Sequence, residues 1–176
     1  MPTIACQPRL VIVVAMAIII LENIRSHYNV GAIFRTADAV GVEKIFLTGY
    51  TPAPVDRFGR VVGEISKTAL GAEATVAWQA VGSVEMLRDE LKTQGYQIVA
   101  VEQTKTALAL PDFKPPAKTA YLLGNETAGV SEKSLSLADA VVEIPMMGKK
   151  ESLNVSVAAG IVLYHDFMSR YAKNRN

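Results

Sequence analysis

Short apolar runs of strand length alternate along this chain with segments whose apolar residues recur at helical spacing. That alternation predicts βαβ units, and hence an α/β fold with a mostly parallel sheet and helices on both faces. Strands are expected at 11–20, 43–48, 74–78, 96–101, 119–123 and 140–144. The first helix is expected to take Asn29 as its N-cap, to carry Val30, Ile33, Phe34, Ala37 and Val40 as an apolar stripe, and to stop at Gly41. A second helix begins at Ser83, with Val84, Leu87 and Leu91 on one face, and ends at Gly95; a short one follows Ser131. The last is expected from Asn154 to Tyr171, with Leu153, Val157, Ile161, Tyr164 and Met168 at core spacing. Its first half is apolar nearly all round, which suits a helix covered by the sheet and by a second subunit.

The irregular stretches are Thr51 to Lys67, with Pro52, Pro54 and Gly59, and Gln103 to Lys118, with Pro111, Pro115 and Pro116. Loops of this length in a compact domain are functional or mobile. With 176 residues, 50% of them hydrophobic, the chain reads as one domain over 1–176. The apolar run from Leu10 to Leu21 falls short of the roughly 20 residues that a bilayer-crossing helix needs, so it reads as a buried strand.

Charge and cysteine usage narrow the chemistry. The lone Cys6 excludes an internal disulfide, and with only two histidines a zinc site of the usual kind is not expected. The expectation is therefore a cytoplasmic, metal-free protein that does not cross a membrane. The net charge of +1 gives no global cationic field. Basic residues nevertheless cluster: Arg25, His27 and Arg35; Arg57, Arg60 and Lys67; Lys149 and Lys150; and Arg170, Lys173 and Arg175. His27 reads as solvent-facing, His165 as a surface or interface residue, and Trp78 as core.

The segment from Ile144 to Gly160 joins a strand end to a helix start through a turn unsuited to either element. Pro145 stops the ladder, Gly148 permits a sharp fold, and Ser152 and Asn154 offer capping oxygens. In open α/β sheets such strand ends face the ligand crevice. Two other segments share the design: Asn29 to Gly41 (NVGAIFRTADAVG), and Leu122 to Val130 (LLGNETAGV). In order and spacing the three resemble the motifs of the SpoU branch of the SPOUT superfamily of RNA methyltransferases, and the resemblance runs from about Leu10 into the last helix.

The resemblance implies 2′-O-methylation of a ribose in tRNA or rRNA with S-adenosylmethionine as methyl donor. A methyl acceptor must be held in line and lose a proton, and a positive group near the developing alkoxide lowers the barrier. Arg35 is the candidate for that group; its pKa above about 12 makes it an orienting and electrostatic residue rather than a base, with an RNA phosphate as a possible proton acceptor. The resemblance surrounds it with Asn29, Glu126, Ser152 and Asn154. From the residues alone, helix capping is equally open for Glu126, Asn29 and Asn154, and Glu126 is also placed to pair with Arg35. Backbone near Val101, Gly124, Ile144, Met146 and Leu153 is expected to hold the cofactor, with Gly124 leaving room for close approach.

The resemblance further implies a deep trefoil knot in the C-terminal part, a feature that general topological rules would not suggest. It also implies a homodimer with residues of both subunits near one active site. The expectation is a single catalytic domain that, unlike many relatives, works without a sizeable appended RNA-binding domain. Two other classes stay open: a catalytically silent RNA-binding protein of the same fold, and a doubly wound domain acting on a small phosphorylated molecule. The latter would carry a Gly-rich loop after its first strand, and Glu22 to Asn29 contains no glycine. Base methylation is open as well.

Overall fold

The computed structural model describes residues 17–173; residues 11–16 of the first expected strand, Cys6 and Arg175 lie outside that range. Strands β1 (Ile18–Glu22), β2 (Lys44–Thr48), β3 (Ala77–Val81), β4 (Gln97–Val101), β5 (Leu108–Ala109), β6 (Thr119–Leu123) and β7 (Ala140–Glu143) form one sheet. Their order is β3-β2-β1-β6-β4-β7-β5, and every pairing is parallel. The helices are α1 (His27–Val40), α2 (Gly63–Ala69), α3 (Ala72–Thr75), α4 (Glu85–Thr93), α5 (Glu132–Leu135) and α6 (Val155–Lys173), with a 3-10 turn at Leu110–Asp112.

Both central strands, β1 and β6, are buried at every position. Their residues point alternately to the two faces. Ile19, Leu21, Ile45, Leu47, Val99, Tyr121 and Leu123 join one core with α1, α2 and α6, whereas Ile18, Ile20, Phe46, Ile98, Ala100, Ala120 and Leu122 join another with α4. Each fully buried aliphatic side chain in these cores contributes roughly 1.5–3 kcal/mol. Covering on both faces is what makes IIILE and TAYLL read as continuous apolar runs.

Helices α1 and α2 approach closely because of Gly31. A Cβ there would lie 2.1 Å from Thr68 Oγ1 and 2.3 Å from the Ile65 carbonyl oxygen. Thr68 Oγ1 also donates to the Tyr28 carbonyl at 3.0 Å, so α2 is fixed against the first turn of α1.

The structure moves several expected boundaries. Ser26, not Asn29, caps α1: its Oγ accepts from the Asn29 N–H at 3.3 Å, and Asn29 sits inside the first turn. Gly41 does end the helix, in the left-handed region at φ 75°. Strand β3 begins at Ala77, because residues 72–75 form a helical turn, and the two-residue β5 lies inside the expected loop 103–118. The largest difference is in α6. Leu153, Val157, Ile161, Tyr164 and Met168, expected as core, are exposed, and Val155, Ala159, Val162, Leu163, Asp166 and Arg170 face inward instead.

Arg170 therefore does not belong to a basic surface cluster. Its Nε donates to Asp166 Oδ2 at 2.6 Å, and its two terminal nitrogens donate to the carbonyls of Ala117 and Pro116, both at 2.8 Å. Tyr121 donates its hydroxyl to Asp166 Oδ1 at 2.9 Å. His165 is half-buried, with Nε2 2.9 Å from the Phe113 carbonyl oxygen. These contacts bind α6 to β6 and to the segment that precedes it. No helix among the described residues is long and apolar enough to cross a membrane.

Candidate active site

Since β1 and β6 are parallel neighbours, the chain leaves both at the same sheet edge, and Asn23–Ser26 emerges beside Gly124–Thr127. Asn125 fastens the two segments. Its Nδ2 donates to the Asn23 carbonyl at 2.8 Å and to the Tyr50 hydroxyl at 3.0 Å, while its Oδ1 accepts from Thr127 N, Thr127 Oγ1 and Ala128 N, all at 2.9 Å. The turn closes on itself, with Asn125 N donating to the Gly129 carbonyl at 3.0 Å and Gly129 N to the Asn125 carbonyl at 2.9 Å. This explains Gly124: a Cβ there would lie 2.2 Å from both Gly129 C and Val130 N. The space beside Gly124 is filled by its own turn rather than left for a ligand.

Glu126 projects from this turn toward the start of α1. One carboxylate oxygen accepts from Arg25 N at 3.0 Å, and the other from Ser26 N and Asn29 Nδ2, each at 3.0 Å. Burial raises the pKa of this carboxyl, but the three hydrogen bonds outweigh it and leave the pKa below its ordinary value of 4.5. Asn29 passes the network on, accepting at Oδ1 from Asn154 Nδ2 at 3.1 Å. Asn154 meanwhile caps α6, its Oδ1 accepting from Ser156 N at 2.9 Å and Ser156 Oγ at 2.7 Å. The structure thus joins Asn29, Glu126 and Asn154, one from each motif, in a single chain of hydrogen bonds.

Arg35 is not part of that chain. It stands exposed six residues beyond Asn29, about 9 Å further along the helix axis, and its side chain makes no hydrogen bond or salt bridge among the described residues. The expected Arg35–Glu126 pairing is absent; the carboxylate is taken by Arg25 N, Ser26 N and Asn29.

Beside the network opens a cavity of about 220 Å³, walled by the ends of β4, β6 and β7 and by the start of α6. Val101, Gly124, Ile144, Met146 and Leu153, the five residues expected around a cofactor, all line it, as do Glu126 and Ser152. Asn29, Arg35 and Asn154 do not. The lining contains Glu102, Glu126, Glu143 and Glu151 and neither lysine nor arginine. Apolar walls from Val101, Leu123, Ile144 and Ala158 complete it. A flat aromatic ring joined to a cation fits this combination, and S-adenosylmethionine, with its adenine and positive sulfonium, is such a molecule. No group of histidine, cysteine and carboxylate side chains among the described residues is arranged to hold a metal ion.

Several lining residues escaped the sequence reading. Glu102 buttresses the turn, its Oε2 accepting from Val130 N at 2.9 Å, and Gln103 Nε2 donates to the Glu151 carbonyl at 2.7 Å across the mouth of the cavity. The available signal was an acid at the close of an apolar run. Glu22, Glu102 and Glu143 all stand at such a position, and Glu22 likewise accepts from Ser131 N at 3.0 Å at the start of α5.

Comparison with known proteins follows the same lines. Residues 16–164 match the model of the SpoU rRNA Methylase family. The chain is 35% identical over 157 residues to the 23S rRNA (guanosine-2′-O-)-methyltransferase RlmB of Neisseria meningitidis serogroup B, covering 89% of this chain and 60% of that protein. It is 34% identical over 146 residues to the tRNA (guanosine(18)-2′-O)-methyltransferase of Thermus thermophilus, covering 83% and 71%. Among solved structures it resembles the SpoU methyltransferase AviRb of Streptomyces viridochromogenes in complex with AdoMet, with a TM-score of 0.78 and 26% identity over 90% of this chain and 59% of that one.

Proposed function

Because the chain belongs to the SpoU rRNA methylase family, we propose that it transfers the methyl group of S-adenosylmethionine to a ribose 2′-hydroxyl of tRNA or rRNA. The observation that carries this reading is the meeting of all three motifs in the Asn29–Glu126–Asn154 chain at the rim of an acid-lined cavity. The RlmB relative, of which this chain spans 60%, is an rRNA guanosine-2′-O-methyltransferase, and the Thermus relative a tRNA one. The acidic lining speaks against a phosphorylated small molecule as ligand, since four carboxylates repel phosphate.

The bound cofactor supplies an electrophilic methyl on a sulfonium. Around it, Val101, Ile144, Met146 and Leu153 form the apolar slot, and the turn held by Gly124 offers backbone groups. The carboxylates favour the cationic ligand. Ser152, whose hydroxyl makes no hydrogen bond among the described residues, faces the acceptor ribose. Glu126, Asn29 and Asn154 hold α1 and α6 in register around that ribose. Arg35 orients the nucleotide and stabilises the alkoxide as its proton leaves, with an RNA phosphate as acceptor.

Because Arg35 stands outside the cavity of its own chain, this arrangement favours a homodimer in which the second subunit completes the site. The exposed stripe Leu153, Val157, Ile161, Tyr164 and Met168, which starts at the cavity, supplies an apolar face for it. A trefoil knot fits the path of the chain: the segment from β4 through β5 to β6 wraps outside β7, and it is met by α6 through His165 and Arg170 and by the turn before α6 through the Gln103–Glu151 bond. One continuous sheet with a core on each face supports reading the stretch as a single catalytic domain, and we assign it to the cytoplasm with its RNA.

The test is incubation with radiolabelled S-adenosylmethionine and total tRNA and rRNA from cells lacking the protein, followed by nucleoside analysis. Label in a 2′-O-methylnucleoside is expected; label confined to a methylated base would overturn the ribose assignment, and bound cofactor without label would favour a silent RNA-binding protein. Arg35→Ala is expected to abolish transfer while leaving S-adenosylhomocysteine binding nearly intact. A comparable loss of cofactor affinity would remove Arg35 from its role.

A further inference from the structure

Between β2 and α2 the chain makes a small, well-built hairpin that the site described above does not use. Val55 and Val61 pair as an antiparallel bridge, and Val62 N donates to the Pro54 carbonyl at 2.9 Å. Asp56 organises the tip: its Oδ1 accepts from Phe58 N at 2.8 Å and Arg60 N at 2.9 Å, its N–H donates to the Arg60 carbonyl at 2.9 Å, and Gly59 turns the chain at φ 78°. This effort holds an aromatic ring out in solvent. Phe58 is 66% exposed, with the Arg57 guanidinium carbon 4.7 Å and that of Arg60 5.0 Å from its ring centroid. Arg60 is pinned by Asp56 through Nε and its terminal nitrogen, both at 2.8 Å. Arg57 has no hydrogen bond or salt bridge among the described residues.

We propose that this hairpin, through Phe58 and its two flanking arginines, grips an unpaired nucleotide of the RNA substrate next to the target ribose. The inference rests on the RNA methyltransferase reading and deepens it. Exposed phenyl rings accept bases by stacking, guanidinium groups pair with the adjoining phosphates, and the two together are the chemistry of single-strand recognition. The charge balance points the same way. One aspartate faces two arginines at the tip, leaving it cationic, whereas every charged residue that lines the cavity is an acid. The phosphates of an RNA are thus disfavoured inside the cavity and drawn to the hairpin.

The fold also ties the hairpin's flanks to the site. Strands β1, β2 and β6 are parallel, so the chain leaves them at one edge, and Tyr50, just after β2, accepts from Asn125 Nδ2 in the Glu126 turn. On its other side the hairpin runs into α2, which the Gly31 notch and the Thr68–Tyr28 bond clamp to the first turn of α1, where Asn29 lies. Both ends of the hairpin are therefore anchored to segments that hold Glu126 and Asn29.

The experiment measures fluorescence anisotropy of a labelled oligouridylate, of unfractionated tRNA and of rRNA fragments with the wild-type protein, Phe58→Ala, and the double variant Arg57→Gln/Arg60→Gln, over a range of salt. S-adenosylhomocysteine affinity and circular dichroism are recorded for each. Phe58→Ala is expected to weaken RNA binding by about tenfold at unchanged salt dependence. The double variant is expected to lower the slope of log affinity against log salt by about 1.4, the value for two phosphate contacts on a single strand. Cofactor affinity should stay at wild-type level in both. If the wild type binds and methylates RNA while both variants match it, the hairpin role is wrong and the function reading stands. If the wild type binds cofactor but no RNA, both fall. Unchanged RNA affinity with altered sedimentation would assign the hairpin to a protein contact and overturn the proposal.

Discussion

At the N-terminal end of α6, Asn154 gives an amide hydrogen to Asn29, and Asn29 gives one to Glu126; at the C-terminal end, Arg170 closes on Asp166, and Tyr121 completes the group. Both clusters join α6 to the neighbourhood of β6, and they differ in burial and charge. Asp166 and Arg170 are 4% and 8% exposed, with their charges mutually satisfied and two further guanidinium hydrogens on backbone carbonyls. Asn29, Glu126 and Asn154 lie at a rim, half-buried or exposed, and spend most of their hydrogen bonds on neutral groups. A buried, closed network fixes the position of a helix. An open one keeps polar atoms within reach of a ligand, and folding stability is the poorer measure of its worth.

The contrast is sharpest for Arg170→Met. It strands the Asp166 carboxylate in the core and should cost about 3–5 kcal/mol of folding stability. Urea denaturation measures this, and a loss below about 1 kcal/mol would erase the distinction between the clusters. Cofactor affinity of the folded fraction should be unchanged.

Glu126→Gln removes the charge from the rim but keeps one acceptor. We expect about 1 kcal/mol of destabilisation with a disproportionate fall in methyl transfer, read as single-turnover rate against denaturation midpoint. Asn154→Ala removes the α6 cap and the link to Asn29. Its stability cost should also be about 1 kcal/mol, and transfer should slow while S-adenosylhomocysteine binding changes little.

The smallest effect separates the two ends by pH. Glu126 has a depressed carboxyl pKa, so its contribution is present above the ordinary value of 4.5 and is lost as pH falls through the lower, folded value. Tyr121 is shifted upward, first by burial and then by Asp166, so its contribution is present below the ordinary value of 10.0 and disappears only as strong alkali reaches the raised value. Chemical denaturation across pH should show an acid limb that Glu126→Gln flattens and Tyr121→Phe leaves alone.

The same contrast explains what was legible in the sequence. Strands β2, β4 and β6 fall almost where their apolar runs lie, because burial on both faces writes an unbroken hydrophobic word. Strand β3, AWQAV, sits at an edge with no residue fully buried, and its pattern carried no such signal. Helix α6 misled for the opposite reason. With apolar residues nearly all round, orientation is decided by Asp166 and Arg170, which pattern reading assigns to solvent and the structure turns inward. The cavity lining was largely readable, since Val101, Gly124, Ile144, Met146 and Leu153 stand at strand ends or in the turn before α6. The partners of Glu126 were not, because backbone N–H groups at Arg25 and Ser26 leave no trace in residue identity. The cap at Ser26 was missed because Asn29 is an equally good capping residue three positions later.

The cavity draws all its walls from the second half of the described chain, the last of them reaching Val155 and Ala158. During synthesis, then, β1, β2 and α1 can leave the ribosome and begin to pack while the pocket is still missing its final wall. At about 5–20 residues per second, the interval between completing β1 at Glu22 and completing the pocket at Ala158 is roughly 7–27 s. Ligand binding is for this protein a late event in the life of each nascent chain, and a methyl donor captured in the pocket reports that the last helix has come home.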